Sequence, residues 1–223
     1  MKSKSSRKKP IQKADQDQII ANRLIAIQQI FMTFVDDPMA MQCLSAHGYT
    51  NLDEGFSRQN EAMTAYTARH MAISDQSQAT NAVIEAQRAA REAYSDFRKI
   101  GRVVFKADIT RTALGMTGPV PSDRARFIHL ARTGFEMALK PDYAPALAQR
   151  GLTSEVLAAN LALVDALVAA DEAQVAAMAA ARQATANRTA AMERLDAWFS
   201  EFRSIAKVAF RQHPEWISQL KIR

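Results

Sequence analysis

From Leu152 to His213 the chain contains neither Gly nor Pro. A helix interior loses about 1 kcal/mol at a Gly and about 3 kcal/mol at a Pro relative to Ala. Their absence over so long a stretch, with Ala filling much of 158–191, predicts one continuous helix. The rival is a hairpin turned at the polar segments SDQSQATN (74–81) and ARQATAN (181–187), but no breaker marks a turn at either place. The apolar positions agree with a helix. Leu157, Leu161, Val164, Val168, Val175 and Met178 recur at three- and four-residue steps, interrupted at Asp171. The stripe resumes at Leu195, Trp198, Phe199, Phe202, Ile205 and Ala209. Such a helix cannot bury its apolar side alone, so other elements must cover it.

The partner is written in the same chain. Residues 95–106 read SDFRKIGRVVFK, and 200–211 read SEFRSIAKVAFR. Ser95/Ser200, Phe97/Phe202, Arg98/Arg203, Ile100/Ile205, Val103/Val208 and Phe105/Phe210 coincide. Upstream in that register QAT at 78–80 meets QAT at 183–185, and a shift of two residues then aligns Pro38 with Pro141, Leu44 with Leu147, Gly48 with Gly151 and Thr50 with Thr153. Two similar units are the simplest account: residues 16–114 and 123–223, joined by a Gly- and Pro-marked linker at 115–122 and preceded by a tail at 1–15.

Each unit is expected to hold a shorter helix, a Pro/Gly turn region and a very long helix. In the second, Ser122 is the expected N-cap of a helix through Phe127, Ala131, Phe135 and Leu139. Asp37–Pro38 and Lys140–Pro141 then start a short helix, Pro being harmless at a first helical position. Gly48 and Gly151 suit the left-handed residue that closes it. The expected fold class is all-α: an elongated helical bundle of two pseudo-twofold-related repeats, coiled-coil-like along its seams and packed as one domain.

Charge is concentrated at one end. Of 29 basic residues, Lys2, Lys4, Arg7, Lys8, Lys9 and Lys13 precede the first acid, Asp15, and the remainder balances the 23 acids. KSKSSRKKP has no apolar content to bury and is expected to be disordered when free. It could meet nucleic acid, anionic lipid or an acidic partner. No signal-peptide core follows it, and no apolar run in the sequence stands out as a membrane span, so membrane insertion is not expected. The lone Cys43 fits a cytoplasmic setting and a small packed side chain.

Signatures of chemistry are sparse. His47, His70, His129 and His213 are scattered, no Glu-x-x-His pair is present, and neither a phosphate loop nor a G-x-S-x-G elbow occurs. No catalytic residue, metal ligand or cofactor is therefore expected. The residues that invite a contact role are basic. Arg98, Arg102 and Lys106, like Arg203, Lys207 and Arg211, stand four apart along one helical face beside an apolar row. They form either twin strips for an acidic partner or phosphate backbone, or stems laid over the core edge and satisfied within the fold. Trp198 and Trp216 read as anchors of the core.

The ending W-F-S-E-F-R-S-I-A-K-V-A-F, followed by Pro214, Trp216, Leu220 and Ile222, resembles that of a set of bacterial all-helical proteins with the same Pro, Gly–x–Thr, long-helix layout. The resemblance covers the second unit and is carried by Phe202, Arg203, Ile205, Ala206 and Leu220; the first copy departs from it at Gly101 and at Ala93, which faces Trp198 in register. No activity comes with it. The sequence thus points to a non-enzymatic scaffold that binds a protein partner or itself, with nucleic-acid association through the tail and strips as the alternative.

Overall fold

The computed structural model describes residues 13–221, with side chains from Asp17 onward. Among these residues every regular element is an α-helix, in the order α1 (Lys13–Val35), α2 (Pro38–Ser45), α3 (Asp53–Val104), α4 (Asp108–Ala113), α5 (Arg124–Ala138), α6 (Ala144–Ala148), α7 (Ser154–Ala209) and α8 (Pro214–Gln219). The two long helices, of 52 and 56 residues, run unbroken through 74–81 and 181–187. The polar content of those segments does not interrupt the backbone ladder.

Local chemistry sets the boundaries. Asp37 lies in extended backbone and accepts from the N–H groups of Met39 (3.0 Å) and Ala40 (3.2 Å), while Pro38 occupies the first position, whose N–H needs no partner. The helix closes at Gly48, φ +95°, as the Tyr49 N–H returns to the Leu44 carbonyl at 3.1 Å. The same closure recurs at Gly151, φ +85°, with Leu152 N–H on Leu147 O at 3.1 Å.

Two expected boundaries move. The cap of α5 is Asp123 and not Ser122: its carboxylate accepts from Arg126 N at 2.8 Å, a stronger acceptor for a helix start than a hydroxyl. Pro141 does not begin a helix; it enters a turn at 141–143, and α6 starts at Ala144 with Pro145 in its first turn.

The chain gathers into two compact units. One comprises the described residues up to Ala72 together with those from Arg182 onward; the other is the contiguous stretch Ile73–Ala181. Both long helices contribute to both units, so each unit draws on the two halves of the sequence.

The first unit centres on Phe31 of α1, fully buried along with Leu24, Ile27 and Phe34 on the same helical face. Its ring meets Phe56 at 5.4 Å, Phe202 at 5.8 Å and Phe199 at 6.0 Å. Each such ring contributes about 1.5–3 kcal/mol by leaving water. Trp216 of α8 closes the far side against Phe210 at 5.0 Å, in keeping with an anchoring role. One stretch of α1, Asp17–Val35, does reach the length and mean hydropathy of a membrane span, contrary to the sequence-based expectation. Leu24, Ile27, Phe31 and Phe34 of that stretch are buried, whereas Ile19, Ile25, Met32 and Val35 are exposed.

The second unit has its own core, in which Tyr94 and Phe97 of α3 pack on Phe127 and Phe135 of α5. Here Gly134 of α5 faces the Leu114 carbonyl, 3.0 Å from where a Cβ would lie, so a larger residue would crowd a main-chain oxygen.

Candidate functional site

Within the first unit a cleft of about 550 Å³ opens where the α2–α3 turn and the start of α3 face the last third of α7. Gly55 of α3 and Glu61 meet Trp198 and Arg194 of α7 respectively, so the two helices run antiparallel here. Residues 49–58 are thereby brought to residues 194–205.

The wall of the cleft is aromatic. Trp198 stacks on Phe202 with centroids 5.3 Å apart and planes 6° from parallel, and meets the half-buried Tyr49 edge to face at 5.9 Å and 86°. A glycine makes the seat of the indole. A Cβ on Gly55 would lie 2.5 Å from Trp198 Cη2 and 2.7 Å from Cζ3.

Polar groups ring this pair. Glu54 accepts from Arg58 Nε at 3.0 Å and Nη2 at 2.7 Å, which holds its carboxyl below the usual range, with a smaller contribution from the Trp198 indole. Arg194 pairs with Glu61. Glu201 has no ion pair among the described residues. The Tyr49 hydroxyl is pushed above its ordinary pKa by burial first, and then by the negative charges of Glu201 and Glu54. His47 Nδ1 lies 3.0 Å from the Cys43 carbonyl.

The basic strips are placed differently from one another. Arg98, 5% exposed, donates through Nη2 to three successive carbonyls: Met116 (2.9 Å), Thr117 (3.3 Å) and Gly118 (2.6 Å). Arg102 adds Nε and Nη2 to Met116 O at 2.9 and 2.6 Å, and Arg91 reaches the carbonyls of Pro121 and Ser122. Arginines of α3 thus fasten the 115–122 linker, as Arg111 fastens the end of α3 through the Phe105 and Arg102 carbonyls. Lys106 is exposed.

In the first unit Arg203 is half-buried with its guanidinium 5.9 Å from the Phe199 ring, and its Nε has no hydrogen bond among the described residues. Lys207 and Arg211 are exposed. Lys2, Lys4, Arg7, Lys8 and Lys9 lie outside the described residues, and Lys13 opens α1.

Among the described residues no three His, Cys, Asp or Glu side chains gather as a metal site would require. Cys43 is a free thiol, half-buried at the edge of the first core.

Sequence reasoning did not single out Tyr49, Arg58, Arg194 or Glu201. A signal did exist. In the registers that match the two halves, Trp198 stands opposite Ala93 and Tyr49 opposite Leu152, so the aromatic pair occurs in one half only.

Comparison with family models, with curated proteins and with solved structures finds no match to this chain.

Proposed function

We propose that this chain is a non-enzymatic helical scaffold that recognises a protein partner through the Tyr49–Trp198 cleft. The observation that carries the reading is a pair of half-exposed aromatic rings held between two helices beside an unneutralised carboxylate. Tyr and Trp dominate recognition hot spots because they offer large, stiff contact area with little conformational freedom to lose. The cleft's size falls within the range of ligand and side-chain pockets, about 300–1,000 Å³.

The finer architecture belongs to the same proposal: a duplicated helical module whose copies complete one another as a pseudo-twofold bundle. What supports it is the recurrence of element order. Each half has a medium helix, a short helix closed by a left-handed Gly, a very long helix and a final short one. Each compact unit also takes the opening of one copy and the close of the other.

The test is recovery of the tagged full chain from its own cells, with and without nuclease, beside a Tyr49→Ser variant of unchanged helix content. A protein that survives nuclease and is lost with Tyr49→Ser supports the reading. A partner indifferent to the cleft overturns it.

The second reading, association with nucleic acid, rests on the exposed Lys207 near the end of α7 and Arg211 in the turn that follows, with no ion pair among the described residues. It expects binding that falls steeply with salt and weakens when residues 1–13 are removed.

A further inference from the structure

The charged groups around the cleft are unevenly occupied. Both guanidiniums have carboxylate partners, Arg58 in Glu54 and Arg194 in Glu61. Glu201 is left with none among the described residues, and it stands one helical turn from Trp198 on the same face of α7. The Tyr49 ring is close enough to Glu201 and Glu54 for both carboxylates to disfavour its ionisation.

An anion entering here would meet a free carboxylate and guanidiniums already engaged. A neutral apolar group would cover Glu201 without answering its charge. A cation is served twice, by the carboxylate and by the negative faces of the rings; over an aromatic face it gains about 0.5–2 kcal/mol.

We propose that the cleft is a receptor for an organic cation, an alkylammonium or guanidinium group, held against Trp198 and Tyr49 with Glu201 as its counter-ion. The cation comes either as a free amine or as the Lys or Arg side chain of a polypeptide. This rests on the reading of the cleft as the recognition site and adds the chemistry recognised there. The Gly55 seat fixes the indole, so the aromatic wall exists before the ligand arrives.

The experiment follows the two indole N–H signals of the full chain by two-dimensional nitrogen–proton NMR, with Trp216→Phe used only to assign them. The probes are butylammonium, N-acetyl-arginine amide, a synthetic peptide of residues 1–13, and butanol and acetate as neutral and anionic controls.

The expected result is a saturable shift of the Trp198 signal with the three cations and none with the controls. Affinity should fall at least tenfold in Glu201→Gln, a substitution at an exposed helical position whose fold is checked by circular dichroism. Tighter binding of the peptide than of the free cations assigns the source to a polypeptide; equal binding assigns it to a small amine. Equal shifts with butanol, or affinity unchanged in Glu201→Gln, overturn the proposal. Loss of the cation response while a partner is still captured through Tyr49 would remove this inference and leave the scaffold reading intact.

Discussion

Trp198 depends on the absence of one carbon atom. Gly55→Ala places a methyl within 2.5 Å of the indole, a rigid ring that cannot yield as a flexible chain end would. The variant should lose about 1–3 kcal/mol in urea unfolding, the range for overpacking, and the Trp198 fluorescence should shift red as the ring is displaced toward water. Tyr94 makes a second residue-scale case. Its hydroxyl donates to Gly115 O at 2.7 Å, and burial, partly offset by the Arg98 and Arg102 cations, pushes its pKa up to about 12. A raised folded-state pKa stabilises the fold fully below the ordinary value of 10.0 and loses that contribution as pH rises toward about 12. Tyr94→Phe should therefore be less stable than the parent by about 1 kcal/mol at neutral pH, with the gap closing between these two pH values. Urea midpoints measured across that range check it. Neither residue is conspicuous in the sequence. Gly101 stood out, because its counterpart is Ala206, whereas Gly55 has no visible reason to be Gly until Trp198, far along the chain, is laid on it.

At the scale of elements, continuity was the most readable property, because the breakers that end a helix are few in kind and none occurs inside 154–209. The left-handed closures at Gly48 and Gly151 were readable for the same reason. The starts were less so: competing caps such as Ser122 and Asp123 differ by one residue, and an extra Pro at 145 outweighed Pro141. The arginine stripe on α3 was visible as a stripe, but its acceptors were not, since main-chain carbonyls carry no signature in a sequence. The linker gives this its test. Arg98 is the shared donor for three carbonyls, and Arg98→Met would take it from Thr117 and Gly118, while Met116 O keeps Arg102, beside the buried Tyr94–Phe97 core. A loss of about 1–3 kcal/mol is expected, from one buried and two partly buried hydrogen bonds to a charged donor, with faster proteolysis between Met116 and Ser122 as the direct readout. Arg98→Lys should rescue only part, because one ammonium lacks the planar reach of a guanidinium. The cap of α2 offers a smaller, separate measure: Asp37→Ala should cost about 1 kcal/mol, seen as a lowered thermal midpoint.

At the scale of the whole molecule, the all-helical class was legible from composition and periodicity, and the internal similarity from the sequence itself. The division into units was not, because it cuts through both long helices and follows packing between residues far apart in the chain rather than any linker. The cleft was hidden for the same reason: Tyr49 and Glu54 come from one end of the chain, and Trp198 and Glu201 from the other. One consequence separates the two units. The second is contiguous, Ile73–Ala181, and its core draws on residues within that span. A fragment of those residues should fold alone and melt cooperatively by circular dichroism, whereas a fragment ending at Ala72 should not.

The same division imposes an order on biosynthesis. Leu24, Ile27, Phe31 and Phe34 leave the ribosome well over a hundred residues before the surfaces that cover them, Leu195, Phe199 and Phe202. At typical elongation rates of about 5–20 residues per second, the greasy face of α1 waits on the order of ten seconds for its cover. The nascent chain thus holds four side chains in water over that interval that are fully buried once folding is complete.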